Sequence, residues 1–422
     1  MYLKIECKNK RFFLQKSNLM IIIFVLENLT IMHTEKIFNN TEIAFQLKSD
    51  TELERAHFLF KMISIEPLVR IGTAVTNFAI KASLPVEGLI RSTVFDHFCG
   101  GVNEEDCLPV IDAMYSKGVS SVLDFSVEGK ETEAHFDAAL ETTLEIIQFA
   151  EEKEALPIAV FKPTGFGRFH LYQKKGEGKA FTMSEQEEWN RVVARYDAVC
   201  KLAKEKDVEV LIDAEESWMQ DAADDLITSM MRKYNKEKTI VYNTLQMYRH
   251  DRLDFLKKQH ELAKKECFSL GYKIVRGAYM EKENDRAAEK GYPSPICESK
   301  QATDINFNAA ATYILENLDT ISLFAGTHNE ESSYLIMNIM QEKGIAKNDN
   351  RVWFGQLFGM SDNISFNLAY YGYNVAKYVP FGPVKDVMPY LIRRAEENTS
   401  VAGQTGRELK LIKKEKERRR LK

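Results

Sequence analysis

The chain has 422 residues, of which 45% are hydrophobic and 28% charged, and its formal net charge is −5. This balance argues against a disordered protein and gives no support to a general role in nucleic-acid binding. The length suits one barrel of about 250 residues with additions, or two domains. The six cysteines lie far apart without a CxxC pair, which argues against a disulfide framework or a zinc ribbon and favours a reducing cytoplasm.

The first 117 residues precede the main pattern of the chain. Residues 19–26 are apolar but too few to span a bilayer, and no small-residue cleavage site follows them as in a signal peptide. We therefore expect Met32 to be the true start, with residues 1–31 a non-native or disordered extension. Residues 32–117 are predicted to form a helical region, with helices at 52–65, 69–81 and 109–117.

From about residue 118, short β-rich runs alternate with longer amphipathic stretches. Eight such alternations predict a parallel sheet covered by helices, and a (β/α)₈ barrel over residues 118–402 is the simplest arrangement. The predicted strands are residues 120–127, 157–162, 208–213, 239–248, 272–279, 321–327, 352–358 and 374–379. The predicted helices between them include residues 133–153, 184–206, 217–234, 250–270 and 304–318.

Polar side chains stand at the end of every predicted strand. A single lysine at such a position usually extends toward solvent, but eight coincident cases indicate a functional rim, because barrel enzymes carry their chemistry at this end. The residues are Glu128, Lys162, Asp213, Gln246, Arg276 with Tyr279, Thr327 with His328 and Asn329, Gln356, and Tyr378.

Several classes of enzyme do not fit this rim. One histidine and no His-x-His pair argue against a metal-dependent hydrolase, so we expect no metal. There is no GxSxG turn and no GxGxxG after a strand. The carboxylates at 213–216 could suggest a glycosidase, but the surrounding arginines and lysines suit an acidic substrate better.

A late run at residues 390–398 combines two arginines with an acid. In a helix, Arg393 and Arg394 would share a face with Glu397, which is four and three residues further on. Paired guanidinium groups suit a small carboxylate, and a neighbouring acid suits an amine, so the run matches both ends of an amino acid. Taken alone, it could equally be a solvated helix with ordinary Arg–Glu pairs.

The last residues, 403–422, form a basic tail. Such a segment is commonly frayed and solvated. Its clustered lysines and arginines could also contact an anionic membrane surface.

Seven segments, in order, resemble the proline dehydrogenase family of flavoenzymes. The resemblance runs from about residue 124 to 400, and any one match is weak whereas seven in order are specific. The segments are residues 211–216, 245–248, 275–279, 326–329, 356–360, 378–382 and the RRxxEN run at 393–398. It implies a distorted (β/α)₈ barrel whose last helix lies across the barrel mouth.

The resemblance also implies a reaction and the residues that perform it. L-Proline would be oxidised to Δ1-pyrroline-5-carboxylate by hydride transfer to FAD, with the electrons passed to a membrane quinone. Lys162, Arg393 and Arg394 would bind the proline carboxylate, Tyr279, Leu357 and Tyr378 would wall its ring, and Asp213 would join Tyr378 in a polar network. Glu397 matches the acid of the terminal motif, and Glu128 corresponds to a gate.

The positions that match the flavin contacts of the family are Gln246, Lys273, Arg276, Ala278, Thr327, His328 and Asn329. Lys273 departs from the family, where better-known members carry arginine, so we expect altered tuning of the flavin. The sequence at 297–300 is also unlike the family's and leaves the contacts on the adenine side open.

Partners and location follow from the same resemblance. We expect a single-function enzyme that hands its product to a separate pyrroline-5-carboxylate dehydrogenase. The expected location is the cytoplasm, with peripheral contact to the inner face of the cell membrane as a further possibility. A hydroxyproline-preferring flavin dehydrogenase is the first alternative, although the bulk of Tyr378 would crowd a 4-hydroxyl group. An inactive homologue acting as an interaction protein, an oxygen-using flavin oxidase and a metal-dependent hydrolase are the others.

Overall fold

The computed structural model describes residues 2–7, 10–15, 36–65, 67, 87–126, 131–400 and 404–421. At its start, strands β1 (Tyr2–Cys7) and β2 (Lys10–Gln15) pair in an antiparallel hairpin. This hairpin lies within residues 1–31, whose status as an extension stays a prediction. The helix predicted at 69–81 lies outside the described residues.

None of the helices that are described combines the length and apolar character needed to cross a membrane.

Eight parallel strands form a nearly closed barrel, which confirms the predicted fold class. Each strand from β4 to β9 pairs with the next in sequence, and β10 also pairs with β3. At the seam between β3 and β4, the Ser121 N–H donates to the Ala155 carbonyl at 2.8 Å. The strands are β3 (Val119–Phe125), β4 (Ile158–Phe161), β5 (Glu209–Ile212), β6 (Val241–Gln246), β7 (Leu270–Val275), β8 (Ile321–Gly326), β9 (Val352–Leu357) and β10 (Val375–Phe381).

Helices cover the outside of the barrel and the region before it. Those before the barrel are α1 (Thr41–Ala44), α2 (Asp50–Ile63), α3 (Glu87–Ile90), α4 (Asp96–Phe98) and α5 (Glu104–Tyr115), and a π-helical turn, Arg91–Phe95, joins α3 to α4. Those from the barrel onward are α6 (Glu133–Glu151), α7 (Phe169–Gly176), α8 (Met183–Lys206), α9 (Ser217–Tyr234), α10 (Arg252–Glu266), α11 (Met280–Lys290), α12 (Lys300–Glu316), α13 (Glu330–Glu342), α14 (Asp362–Tyr370), α15 (Met388–Ser400) and α16 (Gln404–Arg419).

Two boundaries differ from the sequence prediction for identifiable reasons. Helix α5 begins five residues before Pro109, because the Asn103 side chain accepts a hydrogen bond from the Asp106 N–H at 2.8 Å and caps the first turn. Helix α10 ends at Glu266, because Cys267 takes a left-handed conformation with φ of 55°. Strand β7 then begins at Leu270, inside the segment predicted as helical.

The inside of the barrel is packed with side chains rather than open, as in other barrels of this size. Alternate strand residues point inward and form one apolar cluster, which comprises Val122, Ile158, Val160, Leu211, Tyr242, Phe324, Ala376 and Tyr378. Gly355 of β9 leaves space for the Phe324 ring of β8, because a Cβ at position 355 would lie 2.1 Å from that ring. The outer faces of the strands pack against the helices in a second, larger cluster.

The basic end of the chain is a helix that packs on α2, and not a frayed tail. Leu411 and Ile412 of α16 share an apolar cluster with Leu53 and Phe60 of α2. Several basic side chains of α16 pair inside the molecule. These pairs join Lys416 to Glu54 at 2.7 Å, Arg419 to Asp50 at 3.0 Å and Arg418 to Glu415 at 2.9 Å.

Candidate active site

Helix α15, which carries the paired arginines, packs against the carboxyl end of the barrel. Its residues Tyr390 and Leu391 share an apolar cluster with Met360, and Leu357 at the end of β9 packs against that cluster. Arg394 is 8% exposed, and its guanidinium lies 5.0 Å from the centre of the Tyr390 ring. Arg393 is partly buried. The helix includes Glu397, but its side chain is outside the part that the structure describes.

A buried polar network lies inside this end of the barrel. The Lys273 ammonium donates to the Asp213 carboxylate at 2.6 Å and to the Tyr378 hydroxyl at 2.8 Å, and lies 4.3 Å from the centre of the Tyr378 ring. Burial, together with the charges of Asp213 and Asp124, raises the pKa of Tyr378. The phenol therefore stays protonated at neutral pH. Lys273 is thus hydrogen-bonded to Asp213 and Tyr378, two residues that are predicted from the sequence to lie around the substrate.

A second ion pair joins the first two strands of the barrel. The Lys162 ammonium donates to the Asp124 carboxylate at 2.9 Å, and the Ser126 hydroxyl donates to the same carboxylate at 2.7 Å. Burial alone would raise the pKa of Asp124, but the charge and hydrogen bond of Lys162, the hydrogen bond of Ser126 and the charge of Lys273 together hold the pKa below its usual value. Sequence reasoning missed Asp124. Its position within a buried strand was a usable signal, because a buried charge needs a partner.

Arg276, which follows β7, is held by three side chains. Its guanidinium donates to Asp304 at 2.6 Å, to Thr327 at 2.8 Å and to Ser332 at 3.0 Å. It also lies 4.6 Å from the centre of the Phe307 ring. These contacts fix a permanent positive charge beside Thr327, the first residue of the predicted Thr-His-Asn cofactor motif.

His328 lies in a strongly positive environment. Its Nδ1 is 2.9 Å from the Ser361 hydroxyl. Burial, followed by the charges of Lys377, Arg394 and Arg276, lowers the pKa of His328 to about 3. The imidazole is therefore neutral at physiological pH. Arg276 is hydrogen-bonded to Thr327, the residue before His328, and Ser361 follows Met360, which shares an apolar cluster with Tyr390 and Leu391 of α15. Residues from three separate segments therefore meet at this end of the barrel.

Two amide side chains line the same end. The Gln356 amide donates to the Thr327 carbonyl at 3.0 Å and accepts from the Ser365 hydroxyl at 2.8 Å. Gln246, at the end of β6, is 2% exposed, and its amide oxygen is buried without a hydrogen-bond partner. An orphaned buried acceptor of this kind calls for an explanation, and a bound molecule with an N–H group would supply the missing donor.

The remaining predicted residues occupy the loops of this end. Asn329 caps α13, since its side chain accepts from the Ser332 N–H at 3.0 Å. Ala278 is exposed, and Tyr279 is partly buried with the Lys282 ammonium 5.8 Å from its ring centre. Glu128 lies outside the described residues, so its role as a gate stays a prediction.

The carboxylates next to Asp213 have structural partners. Glu215 accepts from the Thr164 N–H at 2.9 Å and from the Thr164 hydroxyl at 2.6 Å. Glu216 pairs with Lys282. Burial, together with the charge of Glu216, raises the pKa of Glu215 to about 7.

The fold is a (β/α)₈ barrel of the kind that carries chemistry at the carboxyl ends of its strands, and cationic side chains from several segments lie at that end. Residues 107–407 match the sequence model of the proline dehydrogenase family. The chain belongs to the proline dehydrogenase family. It is therefore an oxidoreductase that acts on proline.

The chain is also similar to several relatives and to solved structures. The chain is 36% identical over 351 residues to a carbapenem antibiotics biosynthesis protein, CarD, of Pectobacterium carotovorum, covering 83% of this chain and 91% of the relative. It is 30% identical to a mitochondrial proline dehydrogenase of Dictyostelium discoideum, covering 92% of this chain and 76% of the relative. Proline utilization A of Bdellovibrio bacteriovorus shares the fold, with a TM-score of 0.67 and 21% identity over 85% of this chain and 38% of that chain.

Proposed function

We propose that the chain oxidises L-proline to Δ1-pyrroline-5-carboxylate with FAD as its cofactor, and that the electrons pass on to a membrane quinone. The observation that carries the proposal is that Arg276, bonded to Thr327 beside His328, and the buried Arg394 of α15 both lie at the carboxyl end of the barrel. A positive site of this kind suits a pyrophosphate and a small carboxylate, the two anions that FAD and proline bring.

The residues present fit a flavin. The orphaned oxygen of Gln246 can accept from the ring N–H of an isoalloxazine, and the fixed guanidinium of Arg276 can pair with an anionic part of the dinucleotide. Thr327, His328, Asn329, Ala278 and Lys273 complete the proposed contacts. When bound, FAD would supply the hydride acceptor that protein side chains lack.

The chain's own residues would bind and orient the substrate. Lys162, Arg393 and Arg394 would hold the carboxylate, because several cations around one small anion fix its orientation. Tyr279, Leu357 and Tyr378 would wall the ring and exclude water, with Glu397 near the amine. Fixing the substrate in one orientation lowers the barrier, since the entropy of alignment is then lost on binding rather than in the reaction.

Proline is proposed over hydroxyproline because Tyr378 is held in place from two sides. Lys273 bonds its hydroxyl at 2.8 Å, and Phe324 packs edge-on against its ring with 5.9 Å between the ring centres. A ring held in this way resists displacement by a 4-hydroxyl group.

Transfer to a quinone would bring the enzyme to the inner face of the cell membrane. Exposed lysines of α16, such as Lys410 and Lys413, could contact anionic lipid there. A separate pyrroline-5-carboxylate dehydrogenase would then consume the product.

The visible spectrum of the purified protein tests cofactor and substrate together. We expect yellow absorbance that bleaches when L-proline is added anaerobically and returns with an added quinone. A colourless protein, or a yellow protein that proline leaves unchanged, would refute the proposal.

Arg394→Met tests the carboxylate site separately. The substitution removes a bidentate donor, and we expect the KM for proline to rise at least about tenfold, because a charged hydrogen bond contributes about 1.5–3 kcal/mol. Flavin content should fall much less. Lys385→Met, at an exposed position shortly before α15, serves as the control and should leave KM unchanged. An unaltered KM in Arg394→Met would remove Arg394 from the substrate site.

A further inference from the structure

Helix α16 contacts the loop that carries the Thr-His-Asn motif. The Arg407 guanidinium donates to both oxygens of Glu330, at 2.8 and 3.2 Å, and to the Asn39 side chain at 2.5 Å. Asn363 donates to the same Glu330 carboxylate at 2.9 Å. Glu330 directly follows His328 and Asn329 and begins α13. The bidentate ion pair between Arg407 and Glu330 therefore connects the end of the motif to α16.

The next residue of α16 contacts Ser361, which in turn contacts the motif at His328. Glu408 is 6% exposed, and its carboxylate accepts a hydrogen bond from the Ser361 backbone N–H. Ser361 has a left-handed backbone, with φ of 51°, and its hydroxyl lies 2.9 Å from His328 Nδ1. A serine in this conformation needs support from its surroundings, because φ above zero is unfavourable for a residue with a side chain.

The start of α14 adds a rigid base to these contacts. Asp362, directly after Ser361, pairs with Lys377 of β10 at 2.8 Å and with Lys48 at 3.3 Å. Lys377 is fully buried and also donates to the Met360 carbonyl at 2.7 Å. Ser361 is thus held between a buried ion pair on one side and Glu408 on the other.

We propose that Arg407 and Glu408 are positioning residues that fix the loop 327–330 for cofactor binding, one through Glu330 and the other through Ser361 and His328. The inference rests on the proposed flavin function and extends it to a helix that begins at the end of the part that matches the family, residues 107–407, and continues beyond it. The physical reason is that a loop fixed before binding loses less conformational entropy when the ligand arrives.

The experiment compares Arg407→Met and Glu408→Gln with the control Lys416→Met. Lys416 lies on the same helix but pairs with Glu54 of α2, so its removal loosens the helix without touching the loop. The first readout is the rate at which FAD leaves the purified holoenzyme on dilution. The second is amide hydrogen exchange of residues 325–334, measured by mass spectrometry on the same preparations.

We expect Arg407→Met to speed FAD release about tenfold, to raise exchange in the loop, and to leave exchange in the barrel strands unchanged. Glu408→Gln should act in the same direction, and Arg407→Lys, which keeps one bond, should fall between Arg407→Met and the wild type. Lys416→Met should change both readouts less than twofold.

Two results would overturn the inference. One is equal FAD release from Arg407→Met and Lys416→Met; the other is unchanged exchange at residues 325–334 in Arg407→Met. A wild-type protein that holds no FAD would refute the proposed function, and the exchange data would then decide separately whether α16 fixes the loop. If Arg407→Met fails to fold, Arg407→Lys and Glu408→Gln give the same two readouts.

Discussion

At the scale of single residues, Lys273 is the departure from the family that the structure explains best. Its ammonium is buried between the Asp213 carboxylate and the Tyr378 hydroxyl, where a monodentate, flexible cation reaches both. Arginine would bring a larger, planar donor set to the same place. Lys273 is predicted from the sequence to contact the flavin, and in the structure it also fixes two residues that are predicted to surround the substrate.

Lys273→Met tests this role through stability. We expect the free energy of unfolding to fall by about 2–4 kcal/mol, because Asp213 would keep a largely buried charge without its partner. Tyr378→Phe should cost only about 1 kcal/mol, since it removes one hydrogen bond and keeps the ring. Urea denaturation of the two variants measures both values. Equal losses would show that the ion pair contributes nothing beyond the bond to the phenol.

At the scale of elements, strands β8 and β9 fit together because one of them carries a glycine. The Phe324 ring of β8 occupies the place where a side chain at position 355 would begin, and it supports the Tyr378 ring from below. The absence of a Cβ on β9 therefore decides how the aromatic layer under the candidate site is packed.

Gly355→Ala should destabilise the protein by about 1–3 kcal/mol, because the new methyl group overlaps the Phe324 ring and neither strand can move easily. Gly165→Ala is the matched control, since a Cβ there meets no atom within 4 Å, and its cost should stay below about 1 kcal/mol. Thermal unfolding measures both. The packing argument would be contradicted if Gly355→Ala melted at the same temperature as the control, and supported further if Phe324→Leu restored part of the loss.

At the scale of the whole molecule, three enclosed carboxyl groups make stability depend on pH. Burial raises the pKa of Glu209 to about 8 and the pKa values of Glu215 and Glu408 to about 7, from an ordinary value of 4.5. The folded state therefore binds these protons more tightly than the unfolded state. Their contribution to stability is fully present below about pH 4.5 and is lost as the pH rises through 7 to 8.

Glu209→Gln isolates one of these groups far from the candidate site. Each pH unit between about 4.5 and 8 should cost the wild type up to about 1.4 kcal/mol through Glu209, whereas glutamine does not ionise. The variant should therefore lose less stability than the wild type between pH 5 and pH 8 in urea titrations. Glu417→Gln, at an exposed position on α16, should follow the wild type. Parallel curves for Glu209→Gln and the wild type would show that Glu209 ionises normally.

The sequence predicted the barrel well because its signals are local. Buried strands such as 208–213 and 321–327 are short apolar runs between amphipathic helices, and each end is marked by a polar side chain. The sequence did not predict which side chains from distant segments would form hydrogen bonds and ion pairs. The bonds of Lys162 to Asp124, of Lys273 to Tyr378 and of Arg407 to Glu330 depend on which side chains the closed barrel brings within reach. The helical state of residues 404–419 was missed for the same reason, because its apolar residues need α2 as a partner.

The pairing of β3 with β10, and of α16 with α2, has a consequence for synthesis on the ribosome. Strand β3 is synthesised first, and one of its edges stays uncovered until β10 is synthesised, about 250 residues later. A nascent chain therefore carries an uncovered strand edge for most of its translation, and such edges invite pairing with other chains. Production of this protein should accordingly benefit from holding chaperones and slow elongation more than its final stability would suggest.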